Sequence, residues 1–184
     1  MNWIDALPIV LVIVYGVLGL FTGVLRRLIG LVAVYVAFLG ATNMGLQAGG
    51  IMQQQSSNLE TPDARIYGFF GIALAVIVIV EVAAQLASSQ IQIGALVFNR
   101  VIGVILGLAT AVLLTVLVTH ELQAAGNPFG GGALDPLQGQ IHSGIQGSHI
   151  TVPMVNAFGK PIVSIFQLAL PSDPQIYFSQ SPVS

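Results

Sequence analysis

Long apolar stretches, each interrupted by only a few polar residues, dominate the pattern of this chain. Each stretch approaches or exceeds the roughly 20 residues that a helix needs to cross a bilayer, and each is too long for an ordinary strand. Because a helix satisfies its own backbone hydrogen bonds in lipid, the pattern predicts transmembrane helices. We therefore expect an all-α, four-helix multi-pass membrane protein with its helices in the runs 3–21, 28–44, 67–86 and 101–118.

The composition agrees with this prediction and excludes several classes of function. Only 7% of the 184 residues are charged, against about 25% in a typical soluble domain, and the mean hydropathy is +0.89. Lipid bilayer is therefore the expected surrounding of much of the surface. A net charge of −2 provides no basic surface for nucleic acid. Cysteine is absent, and no catalytic triad, phosphate-binding glycine loop or pair of acids is visible, so we expect no enzyme and no catalytic residues.

The basic residues predict how the four helices are oriented. Arg26 and Arg27 lie between the first two runs and Arg100 precedes the fourth, so with four spans all three fall on one side. Arg65 and Lys160 fall on the other side. Since positively charged loops are retained in the cytoplasm, the sequence predicts that both termini lie outside it. The acidic residues near the ends of the runs, Asp5 and Glu121 among them, then also lie outside.

Small residues recur at every fourth position in two of the predicted helices. The fourth run contains Gly103, Gly107 and Ala111, and the first contains Gly19 and Gly23. This spacing places the small residues on one face of a helix, where two helix backbones approach each other closely in lipid. We predict two close-packing faces, and the sequence leaves open whether they meet each other or a partner protein.

One carboxylate, Glu81, lies inside an apolar run. Gln85 and Ser88 follow it at helical spacing, so the three side chains share a face. The apolar residues of the run outweigh the cost of inserting one carboxylate, and that cost alone therefore does not require a function. One interpretation is a polar stripe near the cytoplasmic interface in which Glu81 pairs with an arginine, and the other is a proton or ion relay. The candidate arginines are Arg26, Arg27 and Arg100.

The chain changes character twice after the fourth run. Residues 123–149 are rich in Gly, Gln, Ser and Pro, which predicts a flexible linker after a transmembrane domain of residues 1–122. Residues 150–184 carry an amphipathic pattern, typical of a helix at the membrane interface, in which we expect Pro161 to introduce a kink or to start a second segment. A helix docked on the bundle or on a partner fits this pattern equally well. The apolar face is Val155, Phe158, Ile162 and Phe166, and the polar face is Asn156, Lys160, Ser164 and Gln167.

The three histidines form no recognised ligand pattern. His142 and His149 lie in or at the end of the glycine-rich segment, and His120 ends the fourth run beside Glu121. We therefore expect no metal and no cofactor. His120 is chemically able to bind a haem or chlorin as an axial ligand, but a single histidine at a membrane interface more often has no such role.

Several stretches together resemble the colicin V production protein family, CvpA. They are NWID, then GLFTGVLRRLIGL with Gly19, Gly23 and Arg26, then NRVIGVILG with Asn99, Arg100, Gly103 and Gly107, and finally the tail segment GSHITVPMVNAFGKPIVSIFQLALP. The resemblance covers about residues 2–171. At Thr110 and Ala111 the chain departs from the family pattern of a basic residue followed by glycine, so no role of that basic residue carries over.

The resemblance implies a bacterial inner-membrane protein with four helices and no known enzyme activity. Family members are linked to colicin V export and to resistance to envelope stress. The domain also occurs as the membrane anchor of periplasmic serine proteases, which requires an external C-terminus and agrees with the distribution of basic residues. The family has no agreed catalytic residues to carry over.

Two functions from different classes fit the sequence. The first is a non-enzymatic membrane scaffold or interaction protein, an accessory subunit whose partners are other membrane protein subunits. The second is a transport- or export-linked protein that uses the intramembrane polar stripe around Glu81. We favour the first because the first half of the run that contains Glu81 supplies no further polar groups for a relay.

Overall fold

The protein is all α-helical over the residues that a computed structural model describes, which are 2–56, 58–88, 96–130 and 133–179. The prediction of an all-α protein is confirmed, since this part of the chain contains no strand. Its helices are α1 (Trp3–Gln55), α2 (Thr61–Ser88), α3 (Leu96–Ala125), α4 (Pro136–Gln146), α5 (Thr151–Phe166) and α6 (Pro174–Tyr177).

Helix α1 consists of two arms that are joined at Gly23. The backbone of Gly23 is non-helical, with φ 72° and ψ −175°. The chain folds back at this residue, because Leu7 and Leu11 of the first arm line the same cleft as Phe38 of the second arm. A straight helix would separate Leu7 from Phe38 by about 46 Å, at about 1.5 Å per residue. The first two apolar runs therefore form an antiparallel pair with a one-residue turn.

The predicted count of four helices is wrong, since the described residues form six. Three of them, α1, α2 and α3, are long and apolar enough to cross a membrane. The first and second predicted runs lie on the two arms of α1, the third lies in α2 and the fourth in α3. The two runs merge because residues 22–27 contain no proline and no loop-forming cluster, so helical hydrogen bonding resumes directly after Gly23.

Glycines bring the long helices into backbone contact. A Cβ atom added to Gly45 or Gly49 of α1 would lie 2.9 Å from backbone atoms of Phe69 or Ala64 in α2. The first arm meets α3 in the same way, since a Cβ atom on Gly19 would lie 2.8 Å from the Cα atom of Val104. Both distances are too short for a real side chain, so these glycines let the backbones approach as lipid-embedded packing requires.

A short helix, α4, lies inside the segment that the sequence predicts as a flexible linker. Asp135 precedes it, Pro136 is its first residue, and the side chain of Gln138 accepts a hydrogen bond from the Asp135 amide at 3.3 Å. This is the arrangement of a helix start, with proline at the first position and a polar side chain reaching back to the cap. Gln138, Ile141 and Gly144 are buried, so the segment packs on the bundle.

The amphipathic tail helix α5 docks on α3 and on α1. Val155, Gly159 and Phe166 are buried, and the ring of Phe166 lies 5.3 Å from the ring of Tyr35 in the second arm of α1. Phe158, which the sequence places on the same apolar face, is instead 50% exposed. Docking therefore follows the narrower stripe of Val155, Gly159 and Phe166, and Phe158 lies at its edge.

The chain after α5 returns to an aromatic cluster at the end of the bundle opposite Gly23. Phe69 contacts the rings of Phe38, Tyr177 and Phe178 at centroid distances of 5.9, 5.6 and 5.5 Å. Burial raises the pKa of Tyr177 to about 12, so its hydroxyl stays protonated and donates to the carbonyl of Ala41 at 3.1 Å. The N-terminal and C-terminal elements therefore lie at the same end of the molecule.

Replacing Gly103 with leucine tests the contact between the first arm of α1 and α3. Gly103→Leu should destabilise the protein by at least about 1–3 kcal/mol, because the side chain would meet the backbone of Gly19 and Gly23. Gly71→Leu is the matched control, since a Cβ atom on Gly71 meets nothing within 4 Å. Thermal unfolding of both variants in the same detergent measures the difference. Equal unfolding temperatures would show that this contact does not hold the helices together.

Candidate functional site

The site is built around the turn at Gly23. Its positive φ of 72° is a conformation that favours glycine, and an added Cβ atom would also collide with the side chain of Asn99. The carboxamide oxygen of Asn99 accepts a hydrogen bond from the backbone N–H of Val24 at 2.8 Å, and so satisfies a free amide at the start of the second arm. Asn99, at the start of α3, therefore fixes the turn from outside α1.

Arg27, one turn after Gly23, is completely buried. Its Nη2 atom donates to Oε2 of Glu81 at 3.1 Å, and its Nε atom donates to the hydroxyl of Thr22 at 3.0 Å. The guanidinium also lies 5.5 Å from the centre of the Tyr15 ring, which is a cation–π distance. Arg27 thus ties the two arms of α1 to α2.

Arg26 approaches the same carboxylate from a more exposed side. Its Nε atom lies 3.6 Å from Oε2 of Glu81, and its Nη2 atom donates to the side chain of Gln85 at 3.3 Å. Glu81 and Gln85, predicted to share a face, therefore meet the same arginine. Ser88 ends α2, and its side chain lies outside the described residues.

Two arginines and one glutamate give this cluster a formal charge of +1. Isolated charges are costly at this depth, and pairing removes most of that cost, whereas loss of one partner would leave the other charge buried and unpaired. Nη1 of Arg27 and Oε1 of Glu81 are buried without a hydrogen-bond partner among the described residues. Two cations thus hold the carboxylate. Glu81 is available for other chemistry only if its ion pairs with Arg26 and Arg27 are broken.

A lateral cleft of about 520 Å³ ends at this cluster. It lies between the first arm of α1 and α2, and Phe38 and Leu114 form part of its floor. Glu81 and Tyr15 are its polar lining residues, and the remaining lining is apolar: Leu7, Leu11, Phe38, Phe70, Ala73, Leu74, Ile77, Val78, Val82, Leu114 and Val118. The cleft is therefore a hydrophobic groove, which we call the lateral groove, with a charged cluster at one end.

The glycine faces predicted from the sequence meet each other. Gly19 lies against the backbone of Gly103, and Gly107 lies against the backbone of Tyr15, while Ala111 is fully buried in the core. Arg100 is exposed, and among the described contacts only Arg26 and Arg27 pair with Glu81. His120 lies away from the cluster, in a cavity between α3 and α5. Among the described residues no group of three potential ligands could hold a metal ion.

Asp5 has a structural role that the sequence analysis missed. Its carboxylate is buried and accepts hydrogen bonds from the Ser148 hydroxyl and from the backbone N–H groups of His149, Ile150 and Thr151, at 2.5, 3.2, 3.0 and 3.2 Å. These amides lie at the start of α5, where helical N–H groups lack partners. The sequence signal was that Ile150, which directly precedes α5, has no side chain that can cap a helix. The first amides of this helix therefore need an acceptor from elsewhere in the chain.

Glu121 differs most from its expected place. It is 0% exposed and both carboxylate oxygens lack a hydrogen-bond partner among the described residues, although the sequence places it outside the membrane with the other acidic residues. Its position four residues after Leu117 and seven after Leu114 puts it on the core face of α3. That spacing was the signal that could have identified it.

Comparison with known families identifies the chain. The family described as colicin V production protein matches residues 4–133, which include both arms of α1, α2, α3 and the charged cluster. The chain belongs to the colicin V production protein family. No curated protein and no solved structure gives a significant match to it. The resemblance predicted from the sequence is therefore confirmed over the membrane helices of this CvpA protein, while α5 lies beyond the matched residues.

A double-variant experiment separates a structural role of Glu81 from a chemical one. Glu81→Gln should destabilise this CvpA protein by on the order of 3 kcal/mol, because it leaves the buried Arg27 without a charged partner. Arg27→Met combined with Glu81→Gln should recover most of that loss, since it removes the fully buried charge and leaves only Arg26, whose side chain is 13% exposed, without a carboxylate. Thermal unfolding in detergent measures both effects. A double variant as unstable as Glu81→Gln would contradict the assignment of this pair as the cause.

Proposed function

We propose that this CvpA protein is a non-enzymatic integral membrane protein that works by binding other membrane protein subunits, as an accessory subunit of a larger complex. The lateral groove carries the proposal. It is open to the side, it is almost wholly apolar, and it lies between helices that are themselves long enough to span a membrane. Such a groove suits the apolar face of a partner's transmembrane helix.

The packing within the chain supports the groove as the partner surface. The glycine faces of α1 and α3 are used against each other, so they offer no free close-packing surface for a second protein. The groove combines side chains that the bundle leaves uncovered, such as Leu74, which is 63% exposed, and Val78, which is 51% exposed. Small Ala73 at its floor lets the ridge of a facing helix enter.

A photo-crosslinking amino acid at Val78 tests this proposal in the native membrane. It should give a discrete crosslinked protein, because the side chain faces the lateral groove and is 51% exposed. Ile105 on α3 is the matched control, since it is 59% exposed and apolar but lies outside the groove. Mass determination after mild-detergent purification identifies the product. Absence of a protein adduct at Val78, or the same adduct at Ile105, would count against the groove as the partner site.

A transport-linked role is the second candidate, and one observation favours it: Glu81 lines the lateral groove. The ion pairs with Arg26 and Arg27 weigh against it, because a moving proton or ion must displace two cations. The stabilised double variant distinguishes the two roles in cells. If it folds and assembles but loses the cellular phenotype, Glu81 has a chemical role, and if it retains the phenotype, the interaction role is supported.

We also propose a bacterial inner-membrane location with both termini outside the cytoplasm. The excess of arginine at the Gly23 end of the bundle supports this orientation. Because the chain has no cysteine, a single introduced cysteine reports accessibility without a background. In intact cells with a permeabilised outer membrane, a membrane-impermeant maleimide should label Gln54→Cys, and it should label Val97→Cys, at a position that is 77% exposed, only after the inner membrane is also permeabilised. The reverse pattern would invert the orientation.

A further inference from the structure

A second cavity, of about 750 Å³, lies between the end of α3 and the polar face of α5. Lys160 is the one residue with a fixed positive charge in its lining, and His120 faces it from α3. The other polar lining residues are neutral: Asn156, Ser164, Gln167 and Ser172. Among the described residues that line this cavity none is acidic. The arrangement collects hydrogen-bond donors around a positive charge, which suits an anion.

The nearest carboxylates along the chain are used elsewhere. Asp173 follows the lining residue Ser172, but its Oδ1 atom accepts a hydrogen bond from the backbone N–H of Ile176 at 3.1 Å. Glu121 follows His120 in sequence and is fully buried on the core side of α3. Neither of them lines the cavity, so neither neutralises Lys160 there.

Two features indicate that the cavity lies at the depth of lipid headgroups. His120 is five residues before the end of α3 at Ala125, which is about 7.5 Å along the helix. Trp3, which is 53% exposed, lines a cleft with Val118 and Leu122 and therefore lies at the same level as His120. Exposed tryptophan is typical of the boundary between hydrocarbon and headgroups.

Large apolar side chains lie exposed beside the polar wall. Leu168 lines the cavity and is 83% exposed, and Ile165, next to the lining residue Ser164, is 72% exposed. A soluble anion has no use for this surface, whereas the acyl chains of a lipid would cover it. The juxtaposition of a cationic cavity and an uncovered apolar edge at interfacial depth therefore favours a lipid over a free anion.

We propose that this cavity binds the phosphate of an anionic phospholipid, in the leaflet on the side of the two termini. Lys160 supplies the charge, and the hydroxyl and amide groups of Ser164 and Asn156 supply hydrogen bonds to the phosphate oxygens. The acyl chains lie along Ile165 and Leu168. α5 is then held between the bundle, through Val155 and Phe166, and the bound lipid.

Native mass spectrometry of the full chain in detergent, titrated with phosphatidylglycerol or phosphatidylcholine, tests the proposal. The protein should retain phosphatidylglycerol in preference to phosphatidylcholine, and Lys160→Gln should weaken that binding about five-fold, the effect of one basic residue near an anionic surface. Lys160→Arg should restore it. Arg100→Gln is the matched control, since it removes the same charge at the opposite end of the bundle. Equal retention of phosphatidylglycerol by the protein and by Lys160→Gln would overturn the site.

Two further measurements separate the lipid from other anions and the charge from the shape of the cavity. Inorganic phosphate and glycerol phosphate should bind at least about ten-fold more weakly than phosphatidylglycerol, because they leave the apolar edge uncovered. If they bind as tightly, the cavity is a site for soluble anions and the proposal fails. Ser164→Leu narrows the cavity without changing its charge and should also weaken binding of phosphatidylglycerol. Unchanged binding by this variant would place the lipid elsewhere.

Discussion

The register of the bundle depends on the buried ion pair between Arg27 and Glu81. This pair joins three segments at once, because Arg27 also contacts Thr22 and Tyr15 in the first arm of α1. In an apolar environment such a pair contributes little net stability compared with hydrophobic packing, but removal of one partner is strongly unfavourable. The pair therefore acts mainly on specificity, since any register of α1 against α2 that separates these charges is excluded.

The turn at Gly23, at the same end of the bundle as the ion pair, depends on a contact with α3. A reversal in one residue leaves the first amides of the second arm without helical partners, and Asn99 satisfies that of Val24. Asn99 belongs to α3, so α3 must be in place before the turn is complete. The backbone contact between Gly19 and Gly103 brings it there. Turn, glycine face and ion pair are thus one cooperative unit at the end of the bundle that carries Arg26 and Arg27.

The sequence predicted the helical class and the apolar segments because hydrophobic length is a local property. It could not predict the one-residue turn, since Gly23 fits a close-packing pattern and a turn equally well. The composition of residues 123–149 was misleading for a similar reason. Glycine and glutamine content predicted a linker, whereas in the structure Asp135, Pro136 and Gln138 start helix α4, which packs on the bundle.

The partner of Glu81 was open in the sequence for a physical reason. Three arginines were within reach of a helix face, and only the tertiary turn brings Arg26 and Arg27 to it while leaving Arg100 exposed. The roles of Asp5 and His120 depend on contacts with a tail more than 25 residues away in the chain. Such long-range pairings carry no local pattern, and they define both candidate binding surfaces of the molecule.

The contact between Asp5 and the start of α5 has a consequence for the way the chain is made. Asp5 leaves the ribosome long before its nearest side-chain partner, Ser148, which follows 143 residues later. At about 5–20 residues per second this interval is about 7 to 30 s. During it the Asp5 carboxylate lacks the hydrogen bonds that Ser148 and the start of α5 supply. Synthesis of the tail therefore completes the packing around Asp5, and a chain that stops before residue 148 would leave the first arm of α1 undocked at that carboxylate.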